Sequence, residues 1–447
     1  MDSANKEPIS RRDFIRLATG ALAATGVGVA GLTSARADDA APKTLTILQW
    51  RHFVPDYDDW FDNELVKNWG EKNNTKVVVD RVGLDEIDAQ ARAEIAAGSG
   101  HDLILFPFPP AVYERHAVDH ADVYQAVGHK YGRVSLLGYA STYNPSTRKY
   151  FAFTDSFIPA PLLFNGDYWN KINVPFGPAT YADLLEGAKD IRDKFDVPCG
   201  LTLAPGLTSN ITLLAILSTF GANIQDSAGH VTIDADKRAV FALDYVKNLY
   251  SLAGSPNMLT QGGTQNADAL MALKTSCTIN SVSPVRNAEK SAPDLARRFR
   301  LTPALRTPHR QVTYPQVTNC YVIWDFAKNK DGAKLFLTNL LDNARAGFHA
   351  SAFCNFPSFT NAVPDLAKQL SNDPSADPPY KYAQLQDTLH WTQNLGYPGY
   401  ATAGFMETFN ANVIPGICAQ VATGKLTPDA GATALAAAVK ECYARWT

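Results

Sequence analysis

Short apolar runs and one-faced segments take turns along the chain after Lys43. Thr44-Leu45-Thr46-Ile47-Leu48-Gln49-Trp50 is rich in β-formers and predicts a buried strand. Over residues 56–72, Trp60, Phe61, Leu65 and Trp69 share one helical face, and the stretch 71–74 ends that helix. Lys76-Val77-Val78-Val79-Asp80 predicts a second strand. Ile87, Ala91 and Ile95 then stand at i, i+4 and i+8 of a second helix, stopped by Gly98-Ser99-Gly100. Asp102-Leu103-Ile104-Leu105-Phe106 is a third strand, broken by Pro107. Strand, helix, strand, helix, strand at this spacing means a parallel sheet covered by helices, with ligands at the carboxyl ends of its strands.

The mixed pattern continues. A strand is expected at 161–165, and helices at 181–194, 213–220, 239–252 and 267–273. A strand at 276–279, another at 321–324 and a helix at 331–341 follow. The last helix has a marked start, with Thr427 as N-cap, Pro428 at the first helical position and Asp429 in the first turn. Its apolar face is Leu435, Val439, Cys442, Tyr443 and Trp446. Residues 373–379, rich in proline, read as a surface loop.

The apolar run at the N-terminus reads differently. Ser10-Arg11-Arg12-Asp13-Phe14-Ile15-Arg16-Leu17 leads into 16 residues (17–32) that include five Ala and four Gly, then Ser34-Ala35-Arg36-Ala37. A membrane anchor needs ~20 strongly apolar residues. Paired arginines, a mild apolar middle and a small-x-small end instead predict a twin-arginine signal over residues 1–37, cleaved after Ala37. The mature chain is then expected free in a periplasm, having crossed the membrane already folded. Of 447 residues, 410 remain, which suits two lobes of about 200 each. The whole chain has a formal charge of −3. Removing the signal's five basic and three acidic residues leaves −5, with no basic block suited to nucleic acid. Six cysteines (Cys199, Cys277, Cys320, Cys354, Cys418, Cys442) include no C-x-x-C pair. An oxidising compartment permits disulfides among them, Cys418 with Cys442 first, and the alternative is buried thiols.

The order of segments resembles the extracellular solute-binding proteins of ABC importers, in particular the maltose-binding-protein-like carbohydrate group. Residues 45–50 and 102–106 are similar to the first and third strands of that family's first lobe. Phe151 to Asn165 with Asp167-Tyr168-Trp169-Asn170-Lys171 resembles its crossing strand and continuation. Ala267 to Lys274 before Cys277-Thr278-Ile279-Asn280 resembles the helix and strand preceding its "ING" turn. Thr318 to Trp324 with 328–341, then Tyr397-Pro398-Gly399-Tyr400 through Phe405 and 421–425, complete the likeness. The chain departs where Asn280 leads into Ser281-Val282-Ser283-Pro284 and around Phe405-Met406, since the family's tryptophans are missing at both places. The stacking platform for maltose-type sugars is not carried over.

The resemblance implies an α/β, two-lobe periplasmic binding protein fold of type II, with mixed β-sheets flanked by helices and a ligand cleft between the lobes. Lobe 1 is expected at 44–156 plus 315–356, and lobe 2 at 157–314 plus 357–447, with crossings near 156–161, 307–315 and 354–357. It also implies a monomeric receptor, not an enzyme, that closes by a hinge on a carbohydrate or polyol and delivers it to ABC permease subunits. No cofactor is implied.

A sugar needs flat rings against its C–H faces and oriented amides and hydroxyls at its rim. The residues of this kind at strand exits and crossings are Trp50, His52, Phe106, Phe108, Trp169, Asn210, Asn280, Ser281, Tyr314, Gln316, Asn319, Phe356, Tyr397 and Tyr400. For each aromatic the alternative is core packing. Trp60, Trp69, Trp324 and Trp446 fall on helical faces or mid-strand and read as core. Asn210 falls in a polar turn before a helix, where capping is favoured over ligand contact. His116 and His120, with Asp119 and Asp122 nearby, read as a solvated face rather than a metal site. Asp56, Asp58 and Asp59 read as first-turn acids at a helix dipole, not glycosidase carboxylates. No G-x-S-x-G elbow, Walker loop or paired S-x-x-K motif is present. A periplasmic carbohydrate-active enzyme and a sensor subunit remain the rival readings.

Overall fold

The computed structural model describes residues 43–233 and 237–446. The export segment and the expected cleavage after Ala37 lie outside the described residues. β1 (Lys43–Trp50), β2 (Thr75–Val82) and β3 (Leu103–Phe106) fall within a few residues of the expected positions. β1 pairs in parallel with β2 from Lys43–Thr75 to Trp50–Val82, and with β3 at Ile47–Leu103 and Leu48–Ile104. The helix between β1 and β2 covers 55–72 and contains a π-helical stretch, Phe61–Val66. It buries Phe61, Leu65 and Trp69, while Trp60 stays half-buried. The helix Ile87–Ala97 ends at Gly98, whose φ of 61° is left-handed and free of strain only without a Cβ.

A hairpin of β4 (Tyr143–Asn144) and β5 (Lys149–Tyr150) follows, then β6 (Ser156–Ile158) and β7 (Leu162–Asn165). β8 (Cys277–Ile279), β9 (Phe299–Thr302), β10 (Val317–Thr318), β11 (Cys320–Ile323) and β12 (Phe356–Pro357) complete the set. Two sheets dominate: β11-β3-β1-β2, in which β11 is antiparallel to β3, and the antiparallel β8-β7-β9. A short antiparallel sheet, β10-β6-β12, is continuous with both. Asn319 alone separates β10 from β11, and residues 159–161 separate β6 from β7.

The segment 307–315, expected as a crossing, holds no named strand. Residues 307–310 fold into a tight turn, with the Thr307 N–H on the Arg310 carbonyl at 2.8 Å, and pairing with β6 starts only at Val317. Pro308 and Pro315 have no N–H to give to a ladder, which moves the strand downstream of both.

The helix expected at 213–220 begins earlier, as Leu207–Phe220, so Asn210 lies inside its first turn and Gly206 takes the capping position. The C-terminal helix Pro428–Ala444 starts as expected, Thr427 Oγ1 accepting the Ala430 N–H at 3.2 Å. Trp446 lies beyond its end and is 38% exposed, so it is not core. Among the described residues all six cysteines are buried free thiols. Cys418 and Cys442 are not joined. Instead, Cys199 and Cys277 bring their sulfurs to 3.7 Å.

Candidate functional site

A cavity of about 1090 Å³ opens at the carboxyl ends of β1, β2 and β3, where they meet loops from the later part of the chain. That is the place a parallel sheet offers to a ligand. Arg51, His52 and Phe53 follow β1, Gly83, Leu84, Asp85 and Asp88 follow β2, and Phe108 follows β3. The facing wall begins with Pro205, Gly206, Leu207, Thr208 and Asn210 at the start of the helix Leu207–Phe220. Gly262, Gly263, Thr264, Gln265 and Asp268 surround the start of the helix Gln265–Met271. Asn280, Ser281, Ser283, Pro284 and Asn287 follow β8. Gln316, just before β10, and Phe409, Asn410 and Asn412 close the cavity.

The rings are held in place by the core behind them. His52 is buried, with Nδ1 accepting the Val54 N–H at 3.0 Å and Nε2 on Asn355 Oδ1 at 3.1 Å. Burial lowers its pKa, against the opposing pull of hydrogen bonds to Asn355 and the Val54 carbonyl and of the Asp58 charge. Both nitrogens are engaged, and the ring also packs on Tyr57 with centroids 4.4 Å apart. Trp50 stacks on His52 with centroids 5.3 Å apart and leans on Phe53 at 5.1 Å. Phe108 and Phe409 meet at 5.5 Å from opposite walls.

The polar groups are equally constrained. Asn210 Nδ2 donates to the Gly206 carbonyl and to Asn412 Oδ1 at 2.9 Å, while its Oδ1 is buried without a partner. Gln316 Nε2 donates to Thr208 Oγ1 at 2.9 Å and likewise leaves a buried, unpartnered Oε1. Asn280 Nδ2 donates to Asn266 Oδ1 at 3.2 Å. The helix Leu207–Phe220 starts at the cavity with no side-chain cap and no first-turn acid, so its first-turn N–H groups stand open there. Those donors, with Arg51, oppose the carboxylates of Asp85, Asp88 and Asp268. The wall as a whole supplies ring faces, amides and charges of both signs.

Of the expected site residues, His52, Phe108, Asn210, Asn280, Ser281 and Gln316 line this cavity. Trp50 does not: it is 2% exposed and supports the rings from behind. Phe106 ends β3 facing inward, packed on Tyr113 and Trp324. Trp169 is wholly buried, its Nε1 donating to the Ser276 carbonyl at 3.2 Å, and Tyr314 is buried on Ser218. Asn319 stitches the short sheet through Ser156 Oγ at 2.9 Å, and Phe356 pairs with Phe157 inside it. Tyr397 and Tyr400 belong to a loop packed on Gln225, whose Nε2 donates to the Tyr400 carbonyl at 2.8 Å.

Phe53, Phe409, Asp85, Gln265, Asn287 and Asn412 line the cavity without having been singled out. For Phe53 the signal was present, since it shares the β1 exit with His52. Phe409 arrives on a helix about 300 residues later and carries no local mark. Elsewhere, His120 is a core residue: burial lowers its pKa to about 4, and its Nε2 accepts the Ile323 N–H. Among the described residues no cluster of His, Cys, Asp and Glu is placed to hold a metal ion. Asp56 and Asp58 occupy the first turn of the helix after β1, as expected.

The chain belongs to the bacterial extracellular solute-binding protein family, whose model matches residues 55–346. Residues 1–32 match a second model, the ubiquitinol-cytochrome C reductase Fe-S subunit TAT signal, so the protein is exported to the periplasm by the twin-arginine route. A search among curated proteins gives no match. Solved structures with the same fold include a solute-binding protein from Thermotoga lettingae bound to α-D-tagatose. It has TM-score 0.72 and 16% identity, with 90% of this chain and 99% of that one covered. A sugar transporter protein from Arthrobacter chlorophenolicus with laminaribiose gives TM-score 0.74 and 14% identity over 89% and 99%. Maltose-bound MalE3 from T. maritima gives 0.69 and 15% over 89% and 99%. The fold is therefore that of two-lobe periplasmic binding proteins, mixed sheets flanked by helices.

Proposed function

We propose that this protein is a non-enzymatic receptor that holds a carbohydrate or polyol in the cleft and presents it to the permease subunits of an ABC importer. The observation that carries the reading is the wall of the 1090 Å³ cavity, which brings together the rings of His52, Phe53, Phe108 and Phe409 and the amides of Asn210, Asn280 and Gln316. Ring faces match the C–H surface of a sugar, and unpartnered amide oxygens match its hydroxyl donors. The sugars named for the structural neighbours support the same class. The lobes are taken as 44–156 plus 315–356 and 157–314 plus 357–447. They close by bending at the short β10-β6-β12 sheet, in a protein that acts as a monomer.

A thermal-shift panel of monosaccharides, oligosaccharides and polyols, followed by small-angle scattering with each hit, tests the proposal. At least one sugar is expected to raise the melting temperature and reduce the radius of gyration without being converted. Release of product from any sugar points to the enzyme reading instead, and an inert protein across the panel removes the carbohydrate assignment.

A further inference from the structure

We propose that Cys199 and Cys277 form a disulfide in the periplasm, and that this bond fastens the segment leading into the cleft to the edge of the β8-β7-β9 sheet. The two sulfurs stand 3.7 Å apart, both wholly buried. Their backbones are already held side by side. The Gly200 N–H donates to the Cys277 carbonyl at 2.9 Å, and the Ser276 N–H donates to the Pro198 carbonyl at 2.9 Å. A disulfide needs its sulfurs at about 2.0 Å, so the two side chains have to turn toward one another to close the remaining gap. The other four thiols have no sulfur neighbour of this kind among the described residues.

Export supplies the chemistry. The twin-arginine route delivers the chain folded, with its cysteines reduced, into a compartment where disulfides form and persist. Cys199 is wholly buried three residues beyond the exposed left-handed turn at Asp196 (φ 56°), so an oxidant reaches it when this end of the segment opens. The hydrogen bond between the two thiols lowers the Cys199 pKa and, with burial, raises that of Cys277, so Cys199 is the sulfur that attacks first. The Cys199 thiolate attacks the disulfide of a periplasmic dithiol oxidant or a small-molecule disulfide. A mixed disulfide forms and one oxidant thiol leaves. Cys277, deprotonated, then attacks Cys199 Sγ and expels the second oxidant thiol. The chain loses two electrons and two protons, and the oxidant's two sulfurs take them up. Six residues past Cys199, Pro205 and Gly206 enter the cavity wall, so the bond pins the base of that wall. The loop it closes spans 78 residues, long enough for the constraint to be felt in the unfolded chain.

The test uses the full chain exported by its own signal, then unfolded and alkylated without reductant. Two fewer reactive thiols than the six in the sequence, and a cross-linked peptide joining Cys199 to Cys277, are expected. Reductant should lower the melting midpoint by about 5 °C. A Cys199→Ser/Cys277→Ser double variant should melt like the reduced protein and ignore reductant, whereas Cys320→Ser should still respond. Six reactive thiols after prolonged exposure to oxidised glutathione, or a cross-link through any other cysteine, overturns the proposal. An unchanged midpoint on reduction removes the fastening role.

Discussion

Asp155 opens the short sheet that joins the two large ones, and it is the wrong charge state for its surroundings at neutral pH. The carboxyl group is buried, with Oδ2 accepting from Ser156 Oγ at 2.8 Å and Oδ1 without a partner. Among the described residues no cation pairs with it. Burial, only partly offset by hydrogen bonds, pushes its pKa up from 3.8 to about 6. In the unfolded chain the same group titrates near its ordinary value, so between about pH 4 and pH 6 the folded state holds more protons. Stability contributed by the neutral carboxyl is therefore full below about pH 4, declines as pH rises and levels off above about pH 6. A gap of roughly two pKa units corresponds to about 3 kcal/mol. Asp155→Asn keeps the shape, places an amide where the unpartnered oxygen stood, and carries no charge at any pH. We expect the variant to be more stable than the natural chain by about 2–3 kcal/mol at about pH 7.5. The advantage should shrink almost to nothing at about pH 4. Urea unfolding at four pH values, read by tryptophan fluorescence, measures it. A variant whose advantage does not change with pH, or which is weaker than the natural chain at pH 7.5, would refute the argument.

Other substitutions probe different parts of the molecule. Arg286, buried between Glu289 (2.8 Å) and Asp373 (2.5 Å), leaves Asp373 buried without its cation and Glu289 with Lys381 alone when changed to Met. A loss of about 3–5 kcal/mol in chemical denaturation is expected, and a loss below about 1 kcal/mol contradicts the reading. Gly187→Ala sets a Cβ 2.4 Å from the Trp169 ring, with about 1–3 kcal/mol of strain to be seen as a lowered melting temperature. Phe108→Ala and Phe409→Ala should each weaken sugar binding about tenfold by calorimetry; the melting temperature of the free protein should change little for the half-buried Phe108 and fall for the buried Phe409. Equal affinity in both variants would take the ring pair out of the binding wall.

Local pattern carried the first half of the fold almost unaided. Apolar runs marked β1, β3 and β7, and spaced faces marked the helices Ile87–Ala97 and Tyr181–Phe195, because burial on a single side imposes a period that can be read residue by residue. Where a strand ends, the side chains just beyond it are placed by the strand itself, which is why His52 and Phe108 were legible. Thr427 and Pro428 announced their helix for the same reason, since a cap acts within a few residues.

Contacts between distant segments left no such trace. Phe106 and Phe108 are both rings at one strand exit. Only the packing of Tyr113 and Trp324 decided that the first faces inward and the second reaches Phe409. Tyr397 and Tyr400 look like site residues until Gln225 ties their loop away from the cleft. Cys199 finds Cys277 across 78 residues, while Cys418 and Cys442, closer in sequence, are not joined. A period or a cap is a property of neighbouring residues and is written in their order. Which side of a strand exit faces solvent, and which sulfur meets which, follows from how whole layers stack, and that is fixed only when every layer is in place.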